Sequence, residues 1–105
     1  MSDGSDQVQV RIAAAQALSA SHDPRVVTAL ALALTKDAEP AVRREAALAL
    51  GKVLDDRTAN DVRDVGLGAL ARAAASDSDL EVCVTAERVL AALPHGKPGP
   101  RASAR

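Results

Sequence analysis

The chain has few of the residues on which most catalytic and metal sites depend. Among its 105 residues there are no Phe, Tyr or Trp, one Cys and two His. A single Cys cannot form an internal disulfide, and no clustered metal site can be assembled from Cys83, His22 and His95. No apolar stretch approaches the roughly 18 residues of a membrane-spanning helix, and the first residues lack the pattern of a secretion signal. We therefore expect a reduced, cytoplasmic protein with no metal, no cofactor and no membrane contact.

A strong net charge is also lacking. The chain has 13 basic and 14 acidic residues, and three of the basic ones, Lys97, Arg101 and Arg105, lie near its end. The remainder is mildly acidic, and such a surface does not attract phosphate. Residues 94–105 are rich in Pro and Gly, which predicts a disordered basic tail.

Alanine, leucine and valine are abundant and recur at helical spacing. They supply 47 of the 50 hydrophobic residues. Apolar side chains follow the spacing i, i+3, i+4, i+7 and never alternate over the length of a strand, which predicts an all-helical protein. Burial of an Ala side chain contributes roughly 0.8 kcal/mol, against about 1.5–3 for Leu or Val, so we expect a thin core and a marginally stable domain.

Helix starts are marked by Pro or by capping residues at Asp23-Pro24, Glu39-Pro40, Thr58-x-x-Asp61 and Ser78-x-x-Glu81. These signals predict five helices, at 7–20, 24–35, 40–54, 59–75 and 79–93. Residues 6–93 would form one domain, preceded by a flexible segment, 1–5, and followed by the tail, 94–105. Because the links are short, consecutive helices are expected to pack as antiparallel hairpins.

An internal repeat is the most informative pattern. The segments VRIAAAQAL at 10–18 and VRREAALAL at 42–50 are identical at six of nine positions, at an offset of 32 residues. A weaker copy, VCVTAERVL at 82–90, follows after a further 40 residues. Periods in this range indicate a solenoid of helix pairs. We expect the eight extra residues of the second interval in a longer loop and an added turn of the fourth helix.

The run from Asp37 to Leu50, D-x-x-P-x-V-R-x-x-A-A-x-A-L, resembles the second helix of a HEAT repeat, particularly of the short, phycobilisome-lyase-like variety. The resemblance covers about residues 6–93 and implies an α-solenoid of about two and a half helical hairpins. It also implies a ladder of Asp and Arg side chains between adjacent repeats. Here that ladder would involve Asp37 with Arg43 and Arg11, and Asp77 at the corresponding place in the next unit.

Two departures from the repeat occur at its ends. In the third copy Cys83 replaces the ladder Arg, and Glu87 replaces a small residue, as expected for an atypical terminal repeat. The first helix resembles a second helix whose partner is missing. Its apolar face is therefore expected to need a cover.

The resemblance implies that the second-helix row forms a concave inner wall. Helical geometry assigns to that wall the residues Ile12, Gln16, Arg44, Leu48, Lys52, Val84 and Arg88. Their mixture of apolar and basic side chains suits a polypeptide with some acidic character. The alternative is an ordinary solvated face with scattered apolar residues.

No catalytic constellation is evident in the sequence. A nucleophile needs an oriented base within hydrogen-bond reach, yet Cys83 falls within a helix and His22 within a loop. We expect Cys83 to be a buried, inert thiol, and His22 to be exposed without a ligand role. Gly66 and Gly68 lie inside the fourth helix and are expected to permit close helix packing.

The predicted function is that of a non-catalytic adaptor or complex subunit that binds another protein or a second copy of itself. The first alternative is a nucleic-acid-binding HEAT-like protein that uses its Arg rows and basic tail. The second is a component related to bilin lyases. The lack of net positive charge counts against the first alternative, and the lack of aromatic residues counts against both. Abundant Arg, Ala and Val with little Lys favours a GC-rich bacterial source.

Overall fold

The computed structural model describes residues 4–55 and 57–93, which form five helices and no strand. The helices are α1 (Gly4–Leu18), α2 (Pro24–Lys36), α3 (Pro40–Val53), α4 (Asn60–Ser76) and α5 (Leu80–Ala92). The all-helical prediction is confirmed, and the bounds of the last four helices lie within one residue of the predicted ones. The first helix begins and ends earlier than predicted. The predicted tail, 94–105, and residues 1–3 of the predicted N-terminal segment lie outside the described residues.

The helices pack in two layers. Helices α1, α3 and α5 form one layer, because α3 contacts both α1 and α5. Helices α2 and α4 form the other and contact each other. We call these the odd layer and the even layer. The pairs α2–α3 and α4–α5 are hairpins that join the layers, whereas α1 stands in the odd layer with its main contacts on α3. The result is the expected solenoid of two and a half hairpins.

Two of the helix starts differ in detail from the predicted ones. Asp23 caps α2 as expected, since its carboxylate accepts a hydrogen bond of 2.8 Å from the Arg25 amide. The cap of α5 is Asp79, and the capping box predicted at Ser78 is wrong. A carboxylate at this position both accepts an amide hydrogen bond and interacts favourably with the helix dipole. The capping box predicted at Thr58 is also wrong, because its hydroxyl accepts from the Asp55 amide instead.

The core lies between the two layers and contains no buried polar or charged residue in the described ranges. Its largest fully buried side chains are Leu30, Leu34, Leu50, Leu70, Val27, Val42 and Val82. Ala46 and Ala47 of α3 have no exposed surface. Small residues at such positions let neighbouring helices approach closely, so the repeated alanines determine how tightly the stack packs.

One of the two glycines in α4 meets the packing expectation and the other does not. A Cβ atom added at Gly66 would lie 2.8 Å from Leu54 and 3.3 Å from Val27, so the Leu54 side chain would have to shift to make room for it. A Cβ atom at Gly68 would meet nothing within 4 Å. The expectation was therefore wrong for Gly68, because this residue lies on the outer side of α4.

The longer interval between the second and third copies arises largely in α4. This helix has 17 residues, whereas the corresponding α2 has 13. The four additional residues amount to about one helical turn at its start. This matches the added turn expected from the sequence. Of the other four residues, three extend α3 to Val53, beyond the position equivalent to the last residue of α1, and one lengthens the loop after α3.

Candidate protein-binding surface

Two bidentate ion pairs join α1 and α3 to the turns before the next helices of the odd layer. The Arg11 Nε and Nη2 atoms donate to the two carboxylate oxygens of Asp37, at 2.8 and 3.1 Å. The Arg43 Nε and Nη2 atoms donate in the same way to Asp77, at 2.9 and 3.0 Å. Arg43 also donates through Nη1 to the Asp37 carbonyl, at 2.8 Å. The structure thus brings the four ladder residues together, although Arg43 reaches the backbone of Asp37 and not its carboxylate.

Both ladder carboxylates are held in the ionised form. Burial alone would raise the pKa of Asp77, but hydrogen bonds from Arg43 and the Asp79 amide, with the charge of Arg43, lower this pKa below its ordinary value. The pKa of Asp37 is likewise lowered by Arg11 and the Glu39 amide against the effect of burial. The two arginines are consequently engaged within the stack at neutral pH.

The two rungs differ in their exposure to water. The side chains of Arg43 and Asp77 are 11% and 8% exposed, whereas that of Arg11 is 40% exposed. Since water screens and competes for exposed ion pairs, the rung between α3 and α5 should stabilise the fold more than the rung between α1 and α3.

The last helix carries a shortened version of this ladder. Cys83 occupies the place of Arg43, and its thiol donates to the Asp77 carbonyl at 3.1 Å, as Arg43 does to the Asp37 carbonyl. Cys83 is half-buried, so the expected full burial was wrong: its position lies at the edge where a further repeat would pack. The Cys83 thiol keeps the hydrogen bond to the turn of its own hairpin, between α4 and α5. Its side chain is too short to reach a carboxylate outside that hairpin, as Arg43 does with Asp77.

The predicted wall residues lie along the odd layer, and we call them together the odd-layer face. Five of them are exposed, namely Gln16, Arg44, Leu48, Lys52 and Arg88. Ile12 and Val84 are half-buried. Leu48, at the middle of α3, is 41% exposed and has Arg44 and Lys52 one turn away on either side.

A groove runs along this face between α1 and α3. It encloses a cavity of about 390 Å³ lined by Gln16, Ser19, Glu45, Leu48, Ala49 and Lys52. Gln16 donates to a carboxylate oxygen of Glu45 at 3.3 Å across the groove. Sequence analysis missed Glu45, although its spacing of three residues from Leu48 places it on the same side of α3. The groove therefore offers apolar contact, an amide and charges of both signs within about two turns of helix.

A second cavity, of about 340 Å³, lies among the loops and was also missed from the sequence. Its lining includes His22, Pro24, Val27, Asp55, Arg57 and Thr58. The His22 Nδ1 atom lies 4.0 Å from an Asp55 oxygen. A hydrogen bond from the Arg57 amide, together with the Thr58 hydroxyl, lowers the pKa of Asp55. This carboxylate thus helps to hold the loop after α3.

Residues 4–55 and 57–93 contain neither a candidate metal cluster nor a candidate membrane-spanning helix. No group of three or more His, Cys, Asp or Glu in these ranges lies close enough to hold a metal ion. None of the five helices is both long and apolar enough to cross a membrane.

Comparison with known protein families identifies the family of the chain. The family of HEAT repeats matches residues 2–91, which is most of the sequence. The chain is a HEAT-repeat protein. The match is to HEAT repeats in general and does not confirm the narrower phycobilisome-lyase-like variety. No curated protein and no solved structure matches this HEAT-repeat protein. HEAT repeats generally mediate protein–protein interaction and generally act as non-catalytic scaffolds.

Proposed function

We propose that this HEAT-repeat protein is a non-catalytic module that binds a polypeptide partner on its odd-layer face. The observation that carries the proposal is the exposure of Leu48 beside the groove between α1 and α3. A large apolar side chain that stays accessible next to a cavity is typical of the centre of a binding patch. Arg44 and Lys52 on either side supply cations at its rim.

The charge around Leu48 favours a particular kind of partner. Arg44, Lys52 and Arg88 are all exposed on this face, although the chain as a whole is close to neutral. A segment with an apolar side chain flanked by Asp or Glu would fill the groove and pair with these cations. Electrostatic complementarity of this kind contributes mainly to specificity and to the rate of association.

The nucleic-acid alternative has less support. It relied on rows of Arg side chains, and Arg11 and Arg43 are both engaged by carboxylates of the ladder. Phosphate contacts need cations that are free to replace counterions along the backbone. The three exposed cations of the odd-layer face are few for that purpose.

A peptide selection tests the proposal directly. A library of random twelve-residue peptides is selected on the immobilised full chain, and the recovered peptides are measured in solution by fluorescence anisotropy. We expect them to be enriched in Leu or Ile next to Asp or Glu. The Leu48→Asp variant should bind them at least tenfold more weakly, because it removes the apolar contact and repels acidic residues.

A matched control separates loss of binding from loss of fold. Leu32 of the even layer is 57% exposed, and Leu32→Asp places the same charge on the opposite layer. This control should bind the peptides as the wild type does, and both variants should keep wild-type helicity by circular dichroism. Equal affinity of the Leu48→Asp and Leu32→Asp variants would contradict the proposed site.

A further inference from the structure

Helices α2 and α4 form a groove on the outer side of the even layer, away from the core. It encloses a cavity of about 340 Å³ whose lining includes Thr28, Leu32, Asp64, Val65, Gly68 and Arg72. We call these six residues the even-layer face. Leu32 is 57% exposed and Val65 is 47% exposed, although both side chains are apolar. Large apolar side chains that stay accessible together beside a cavity are typical of a surface that contacts a partner.

Gly68 has no packing role within the described part of the chain. A Cβ atom at this position would meet nothing within 4 Å, whereas one at Gly66 would meet Leu54 at 2.8 Å. Glycine is less favourable than alanine inside a helix, because its backbone loses more freedom on folding. On the outer side of α4, the missing side chain lets a second backbone approach closely from outside the chain.

Opposite charges lie at equal distances on either side of Gly68. Asp64 precedes it by four residues and Arg72 follows it by four, so each lies about 6 Å from it along the axis of α4. Both side chains are exposed, and neither forms an ion pair or a side-chain hydrogen bond with residues 4–55 or 57–93. The groove is therefore complementary to a surface that carries a cation and an anion in the reverse order.

A second copy of the same face carries its charges in that reverse order. A two-fold axis that passes beside Gly68, at right angles to α4, makes the two α4 helices antiparallel. Asp64 then faces Arg72 of the partner subunit, and Arg72 faces Asp64 of the partner subunit, so that two ion pairs form together. Gly68 meets Gly68 of the partner subunit on the axis, where small residues let helix axes come to about 8 Å.

The same axis brings the apolar residues of the face together. Helices α2 and α4 are equivalent helices of successive hairpins and run in the same direction, and Thr28 is the equivalent of Gly68 at the offset of 40 residues. Leu32 lies four residues after Thr28, and Val65 lies three residues before Gly68. The two side chains thus lie towards opposite ends of the groove, and the reversal places Leu32 over Val65 of the partner subunit. Apolar contacts therefore accompany both ion pairs.

The other charged residues on this side of the even layer do not oppose the register. Asp61 is exposed on the same side of α4 and faces Ala75 of the partner subunit. Lys36, at the end of α2, comes to the level of Asp61 of the partner subunit. Arg25 is already paired with Asp23, at 2.8 Å. Among these charges, none is brought opposite one of the same sign.

We propose that the even-layer face docks on the same face of a second copy of this chain, as an antiparallel two-fold dimer. Helices of 13 and 17 residues side by side form a patch roughly 20–25 Å long and about 20 Å wide, or roughly 500 Å² in projection. The accessible surface is larger than the projection, because the groove and the side chains add relief. The contact therefore comes close to the roughly 800 Å² per partner of a standard interface.

Sedimentation equilibrium of the full chain between about 1 and 500 μM tests the dimer. We expect the wild-type mass to rise from that of the monomer towards that of the dimer. Asp64→Arg puts two cations face to face at both ends of the contact, and Arg72→Asp does the same with anions, so each should weaken association at least tenfold. The double variant Asp64→Arg/Arg72→Asp restores both ion pairs and should associate within about threefold of the wild type. A wild type that stays monomeric at 500 μM, or a double variant as weak as the single ones, would overturn the proposal.

Two matched variants separate this contact from the odd-layer face. Leu48→Asp should associate as the wild type does, whereas Leu32→Asp should associate at least tenfold more weakly. The same two variants act in the opposite sense on peptide binding, so failure of the dimer and failure of the proposed peptide site can be told apart. Every changed residue is exposed, so all variants should keep wild-type helicity by circular dichroism. Equal association of the Leu32→Asp and Leu48→Asp variants would contradict the proposed contact.

Discussion

Helices α1 and α3 form a natural comparison, because nearly the same sequence lies in two different environments. Six residues of the repeated segment are identical, yet five of them are buried in α3 and only Ala15 is buried in α1. Each helix donates an Arg to a bidentate ion pair, and the pair from α3 is the more protected from solvent. The difference teaches that the residues decide that a helix forms, whereas the neighbouring helices decide how much each residue stabilises the fold.

The largest expected difference between the two helices concerns their arginines. Arg43→Ala should lower the free energy of unfolding by about 2–4 kcal/mol, because it leaves Asp77 and the Asp37 carbonyl without their donor in a protected site. Arg11→Ala should cause a smaller loss, since water can replace the more exposed guanidinium. Urea unfolding followed by circular dichroism measures both. Equal losses would mean that the two rungs are equivalent despite their different exposure.

The valines should show a smaller difference in the same direction. Val42→Ala leaves a cavity in the core and should cost about 1–2.5 kcal/mol. Val10→Ala removes a mostly exposed side chain and should change the stability of the monomer by less than about 0.5 kcal/mol. The free energy of unfolding of both variants is measured by urea unfolding at low protein concentration. A comparable loss in both would show that the face of α1 is covered within the monomer.

The smallest expected effect is a dependence of stability on pH. The folded-state pKa values of Asp37 and Asp77 are lowered, so their contribution is fully present above the ordinary value of 3.8. It is lost as the pH falls from there through the lower folded-state values. The melting temperature of the wild type should therefore fall between pH 4 and pH 2.

Arg43→Ala provides the control for this pH effect. Without that guanidinium the pKa of Asp77 returns towards its ordinary value, and the fall in melting temperature below pH 4 should be shallower than in the wild type. Arg11→Ala should also make the fall in melting temperature shallower, because the pKa of Asp37 then returns towards its ordinary value. A wild-type slope that neither variant changes would assign the acid sensitivity to other carboxylates.

Much of the fold could be predicted from the sequence because the same apolar pattern occurs in three segments of the chain. Pro24 and Pro40 fix helix starts directly, and the apolar spacing identifies the core residues of α3. The start of α1 was placed too late because the polar residues Ser5 and Asp6 suit a cap as well as a first turn, and the helix already begins at Gly4. The start of α5 illustrates competition between caps: Ser78 and Asp79 both suit the position, and their local chemistry alone does not decide between them.

The candidate site was less predictable because it depends on pairs of helices. The exposed row of Leu48, Arg44 and Lys52 followed from spacing within α3. The partner of Gln16 across the groove, Glu45, depends on how α1 and α3 are set against each other. The loop cavity beside His22 depends on three segments meeting in space. Such features need the packing of the whole stack and are not encoded in any one helix.

Helix α5 differs from α3 at two positions that matter for packing against a further helix. Cys83 stands where the ladder has Arg, and the exposed Glu87 stands where Ala15 and Ala47 are buried. The backbone of α5 otherwise keeps the geometry of an internal helix and receives α3 in the usual way. A hairpin grafted after α5 would therefore need Arg at position 83 to reach its turn and a small residue at position 87 to pack against it, which makes these two positions the first to redesign when the protein is lengthened.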